Sequence, residues 1–116
     1  MAPPSADRQI RDVLAQYRAA LEGRSLPALK QLWPGLGGSQ ERAIRNEFTH
    51  ASQIAVEIGT PTIEVTGPTA TATFLRRYEL LTTDAQRLSS QSVTTMTLRQ
   101  VGGGWVITGV RFEPVR

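Results

Sequence analysis

From Ile10 onward the apolar residues fall at helical spacing. Ile10, Val13, Leu14, Tyr17 and Leu21 stand at i, i+3, i+4, i+7 and i+11, one stripe of an amphipathic helix. Ser5 or Asp7 is placed to cap its start, and Gly23 to supply the left-handed residue that ends it. Ser25 is placed to cap a second, shorter helix that tolerates Pro27 in its first turn and turns Leu26, Leu29, Leu32 and Trp33 inward. Pro34 closes that helix, because proline removes a donor and clashes with the preceding turn. Residues 35–38 form a glycine-rich joint. Ser39 is then expected to cap a third helix, with Glu41 in its first turn and Ala43, Ile44 and Phe48 on its apolar side.

After Ala51 the period drops to two. Ile54, Val56 and Ile58 alternate with Ala55 and Glu57, the pattern of a half-buried strand. Gly59-Thr60-Pro61 interrupts it, and Ile63 and Val65 resume it. A turn at Gly67-Pro68 leads to a long strand from Thr69 to about Thr82. The chain reverses near Asp84-Ala85-Gln86, and a second long strand runs from about Arg87 to Gln100. Residues 102–104 turn into a last strand, Trp105 to Phe112. Opposed residues of antiparallel strands share a face, so the two long strands can be registered on their apolar residues. Phe74 opposite Met96, Ala72 opposite Leu98 and Tyr78 opposite Ser92 leave a hairpin loop of about three residues. Strands of about fourteen residues must bend, so a bulge is expected within this pair.

Three N-terminal helices followed by a curved antiparallel sheet make an α+β domain. At 116 residues, 40% of them hydrophobic, the chain suits one core. The reading is an arm or linker over residues 1–6 and one domain over 7–116. Pro3-Pro4 favours an extended segment, as in a linker to a longer protein or a ragged N-terminus. The start lacks the apolar core of a signal peptide, no stretch approaches the ~20 apolar residues of a membrane span, and there is no cysteine. A cytoplasmic protein without membrane insertion is the expectation. The net charge of +3 and pI near 10.2 overstate any affinity for nucleic acid. The bases are nearly all arginine and alternate with acids, as in Glu41, Arg42, Arg45 and Glu47, so no basic stripe forms.

The order of elements is that of the cystatin-like α+β roll, and the residues strengthen the likeness. Residues 17–23 (Tyr17-Arg18-Ala19-Ala20-Leu21-Glu22-Gly23) resemble the end of the first helix in the nuclear transport factor 2-like (SnoaL-like) superfamily, Leu29 to Trp33 resembles the helix that follows, and Gly104-Trp105-Val106-Ile107 resembles its last strand. The resemblance runs from Ile10 to Phe112. Leu32-Trp33-Pro34 with a third helix resembles bacterial accessory domains, some appended to signalling proteins such as serine/threonine kinases. It implies a cone in which the sheet wraps the helices and leaves a pocket, but no particular reaction, since members include enzymes, binding modules and assembly domains.

In the ketosteroid isomerase branch a tyrosine at the position of Tyr17 donates a hydrogen bond to an oxyanion, an enzyme that also serves as a general example of tuned acidity. The resemblance then calls for a carboxylate base after the second helix. Residues 34–40 hold none, and Glu41 sits on a helix with basic neighbours in reach. One donor without a base is not a catalytic set. The expectation is therefore a non-catalytic small-molecule-binding or assembly domain, a sensor or regulatory module; an isomerase or cyclase of the ketosteroid isomerase or SnoaL type using Tyr17 is the alternative. His50, the only histidine, has no second ligand at metal spacing, so neither metal nor cofactor is expected. The pocket should be lined by Tyr17, Trp33, Phe48, Phe74, Arg76, Tyr78, Ser92, Thr94 and Met96 and take a small apolar ligand. Arg76 would need a partner there, because Glu79 is on the other face. That other face carries Thr71, Thr73, Leu75, Val93, Thr95 and Thr97, nearly uncharged, and is the surface expected to join a homodimer.

Overall fold

The computed structural model describes residues 6–114. Three helices, α1 (Ala6–Glu22), α2 (Leu26–Leu32) and α3 (Gly38–His50), precede five strands, β1 (Ala51–Ile58), β2 (Thr62–Thr66), β3 (Thr69–Thr82), β4 (Arg87–Val101) and β5 (Gly104–Pro114). The helices pack against a curved, unclosed antiparallel sheet, and the architecture is α+β. The expected arm at residues 1–6 lies outside the described residues except for Ala6, which already belongs to α1.

The stripe read from the sequence is the buried face of α1: Ile10, Val13, Leu14, Tyr17, Ala20 and Leu21. Its outer face is laced by Asp7–Arg11 at 2.7 Å and Arg18–Glu22 at 3.6 Å, pairs one helical turn apart. Asp7 therefore lies inside the helix rather than capping it, and Ser5 is outside the described residues. The helix ends differently from expectation. Arg24, not Gly23, takes the left-handed position (φ 51°). The Ser25 N–H donates to Ala20 O at 2.9 Å and closes the end. The strain is offset by what the Arg24 side chain reaches, since its Nη1 donates to Ala51 O at 2.5 Å. Glu22 accepts the Val56 N–H at 3.1 Å. Together these side chains cover backbone groups of β1, an edge strand that would otherwise invite foreign pairing.

Ser25 does cap α2, accepting the Ala28 N–H at 3.3 Å. The cap assigned to Ser39 is not realised: α3 starts two residues earlier than that cap implies, with Gly37 as its N-cap and no side-chain cap, so Ser39 lies within the helix. Lys30 on α2 instead ties α3 down, 2.6 Å from Glu41, which also meets Arg45 at 3.3 Å. These cations, Lys30 first, hold the Glu41 carboxyl below its usual range.

The sheet order is β1-β3-β4-β5, and β2 pairs with the other end of β3 from β1. β1 and β2 thus act as one edge broken at Gly59-Thr60-Pro61. The β3–β4 register is shifted by two residues from the expected one, with Phe74 opposite Thr94, Ala72 opposite Met96, and Tyr78 opposite Ser90. A two-residue shift keeps every side chain on its expected face. Two physical reasons favour it. Large residues now meet small ones, and the turn is fixed by Thr82, whose hydroxyl meets the Asp84 carboxylate and accepts the Gln86 N–H at 2.9 Å. Ala85 sits left-handed (φ 67°) in that turn. The bulge expected in this pair is absent. The pairing runs unbroken from Thr69–Arg99 to Leu81–Arg87, and the irregularities fall between β4 and β5 near Thr108 and at the start of β1.

Candidate functional site

The concave face of the sheet presents Ala70, Ala72, Phe74, Tyr78 and Leu80 from β3, and Thr94, Met96 and Leu98 from β4. All are buried with the inner faces of α1 and α2. The third helix is different. None of its residues is fully buried, although Ile44 and Phe48 lean on the core. Short, amphipathic and joined by glycines, α3 stands off the sheet and leaves space behind it.

That space is a cavity of about 180 Å³ walled by Tyr17, Leu21, Leu29, Trp33, Gln40, Ala43, Ile44, Glu47, Phe48, Arg76, Tyr78 and Phe112. A wider trough of about 380 Å³ shares Ala43, Glu47 and Tyr78 and runs on past His50, Leu80 and Leu88. Of the residues expected to line a pocket, Tyr17, Trp33, Phe48, Arg76 and Tyr78 do so. Phe74, Thr94 and Met96 are instead buried in the core, and Ser92 bonds the Thr94 hydroxyl at 3.3 Å rather than reaching the cavity. Phe112 and Glu47 were missed. Phe112 lies opposite Thr94 on β5, and it faces inward only because the irregularity near Thr108 shifts the alternation that buries Trp105 and Ile107, a shift that periodicity does not reveal. Glu47 is one residue before Phe48 and could have been found by extending the inner face of α3 by one position.

Polar chemistry in the cavity centres on Arg76. Its Nη1 donates to Tyr17 Oη at 3.2 Å. Its guanidinium lies 4.8 Å from the centre of the Tyr78 ring and 4.2 Å from that of Phe112, a cation held by two aromatic faces. Among the described residues no carboxylate forms an ion pair with it. Arg76 Nε and Tyr78 Oη are both buried and have no hydrogen-bond partner. Burial raises the pKa of the Tyr17 phenol above its ordinary value, against the opposing pull of Arg76. Burial likewise raises that of Tyr78, and the Glu47 charge adds to the shift. The Glu47 carboxylate lies close enough to act on the Tyr78 hydroxyl both by its charge and as a nearby acceptor, although no bond with good hydrogen-bond geometry joins them. Both phenols are therefore neutral donors at physiological pH.

His50 is spent locally, its Nδ1 2.8 Å from Asn46 O. Among the described residues no group of three acidic, histidine or cysteine side chains gathers as a metal site. No helix among them is long and apolar enough to cross a membrane. On the outer face, Thr71, Thr73, Leu75, Val93, Thr95 and Thr97 line up side by side as expected, with Leu75 45% and Val93 38% exposed. The neighbouring strands narrow the uncharged zone, since Glu64 pairs with Thr71, Arg111 with Thr95 and Glu113 with Val93.

No protein-family model and no curated protein sequence matches the chain. Solved structures do. A proposed dehydratase of the nuclear transport factor 2-like family from Streptomyces avermitilis superposes with a TM-score of 0.83 at 16% identity, covering 98% of this chain and 99% of that one. A protein with a cystatin-like fold from Caulobacter vibrioides gives 0.76 at 13% identity, covering 96% and 90%. A proposed calcium/calmodulin-dependent protein kinase II association domain from Xanthomonas campestris gives 0.73 at 16% identity, covering 99% and 93%. With three helices packed against a curved antiparallel sheet and near-complete coverage in each comparison, the chain has the cystatin-like fold that these structures share.

Proposed function

We infer that this domain is a non-catalytic holder of a small ligand, bound between α3 and the concave sheet, in a sensor or regulatory role that suits tethering to a larger protein. The observation that carries this reading is the cavity. Its wall is mostly apolar, through Leu21, Leu29, Trp33, Ile44 and Phe48, with a few convergent polar groups, the composition of ligand sites in general. Its volume of about 180 Å³ lies just above the ~150 Å³ void that admits benzene. That limits an occupant to about one ring with a substituent. Trp33 supplies the assay. Only two tryptophans are present, so Trp105→Phe leaves Trp33 as the sole reporter. Small aromatic probes should change its emission along a saturating curve. No change with any probe would leave a domain whose cavity serves packing alone.

An isomerase or cyclase using Tyr17 as hydrogen-bond donor is the second reading. It draws support from Glu47, a carboxylate on the same cavity wall as Tyr17 and Tyr78. Its test is turnover of small enones, with Tyr17→Phe lowering the rate about ten-fold or more, or ~1.4 kcal/mol of transition-state stabilisation. The uncharged centre of the outer sheet face, with exposed Leu75 and Val93, supports a homodimer joined there.

A further inference from the structure

We propose that the ligand of this cavity is a small monoanionic carboxylate on an apolar or aryl body, its carboxylate held by Arg76 and the Tyr78 hydroxyl; this rests on the reading of the cavity as a ligand site. The argument begins with donors that the protein leaves unused. Tyr78 is only 7% exposed, and its hydroxyl is a buried group without a partner. Arg76 Nε is likewise buried and unpaired. Leaving either group so is costly, the more so for a charged group, and native interiors rarely accept that without a reason. Both side chains face the same cavity.

The aromatic contacts of Arg76 do not satisfy it. Tyr78 and Phe112 attract the guanidinium electrostatically but accept none of its in-plane N–H bonds. Tyr17 takes one of those N–H groups and fixes the plane. What remains is a pre-oriented fork in a half-buried setting, the arrangement that binds planar carboxylates through paired hydrogen bonds. A phosphate dianion fits less well, because among the described residues Arg76 is the only cation on the cavity wall, and Glu47 shares that wall. The apolar remainder of the ligand has Leu29, Trp33, Ile44 and Phe48 to meet.

The test compares benzoate with its neutral isostere benzamide, using calorimetric titration and Trp33 emission. Wild-type protein should prefer benzoate by about ten-fold or more, the discrimination expected of a charge-assisted bond. Arg76→Met should abolish that preference and leave benzamide binding within about two-fold, since it removes the cation and keeps the apolar wall. Glu47→Gln should tighten benzoate, because it removes a repelling charge from the same wall. Tyr78→Phe removes only a hydroxyl that makes no well-formed hydrogen bond, although Glu47 is near it, and keeps the ring over Arg76, so it folds even where Arg76→Met does not. It should weaken benzoate several-fold. Equal binding of benzoate and benzamide to the wild type, or a Tyr78→Phe variant that binds benzoate as tightly as the wild type, overturns the proposal while the ligand-site reading stands. Failure of both probes to bind overturns both.

Discussion

Replacing Tyr17 by phenylalanine removes one oxygen and tests the geometry of the cavity most economically. That oxygen accepts from Arg76 Nη1 at 3.2 Å, and Tyr17 is nearly fully buried. A hydrogen bond to a charged group contributes roughly 1.5–3 kcal/mol when desolvated. Three effects reduce that figure. The guanidinium is only partly buried and the bond is long, and deleting the hydroxyl also removes the cost of burying it. The net loss should be about 1 kcal/mol, which for a domain of this size lowers the thermal midpoint by about 4 °C. Urea unfolding followed by circular dichroism measures it, and Arg76→Met completes a double-mutant cycle. The coupling between the two sites should be about 0.5–1.5 kcal/mol. Additive effects, or a Tyr17→Phe variant as stable as the wild type, would refute the claim that Tyr17 orients Arg76.

Three further outcomes are expected. Ala85→Gly should raise stability by about 0.5–1 kcal/mol, because Ala85 occupies the left-handed region at φ 67° in the β3–β4 turn; an unchanged or lower urea midpoint would contradict this. Thr95→Arg should split a homodimer joined by the outer sheet face without lowering the melting temperature of the monomer. Sedimentation velocity reads the change, and a wild type that is already monomeric at micromolar concentration removes the dimer. Stability should hold up to about pH 10 and fall above it. The phenols of Tyr17 and Tyr78 have raised pKa values in the folded chain, so the unfolded chain ionises first and is favoured as pH rises beyond the ordinary phenol value. Urea midpoints between pH 8 and 11 check the sign.

Periodicity made the helices and strands legible, because the stripe on α1 and the alternation on β3 and β4 are set by the backbone repeat and by one buried face each. Register was harder. The apolar pattern fixes it only modulo two, and the deciding interactions were the Thr82 turn and the pairing of large with small side chains. Helix ends were misjudged where tertiary contacts outweigh local preference. Arg24 accepts a left-handed backbone, and its guanidinium reaches Ala51 O; no local rule anticipates that bond across 27 residues. In the site, the aromatic wall could be read from Tyr17, Trp33, Phe48 and Tyr78. The partner of Arg76 could not, since Tyr17 lies 59 positions away and only the packing of α1 against β3 brings them together. Thr94 and Met96 were placed on the correct face, but being on the concave face does not mean reaching the cavity, because the core there is already filled.

The central claim is that the space behind α3 holds a ligand, and amide-resolved NMR with benzoate as the probe tests it most directly. The account predicts one saturating binding curve. The shifting amides should cluster at Trp33, Ala43, Ile44, Glu47, Arg76, Tyr78 and Phe112, residues from three elements and one loop that meet at this cavity. No shifts at saturating probe, or shifts scattered over the outer sheet face around Thr73 and Thr95, would contradict it.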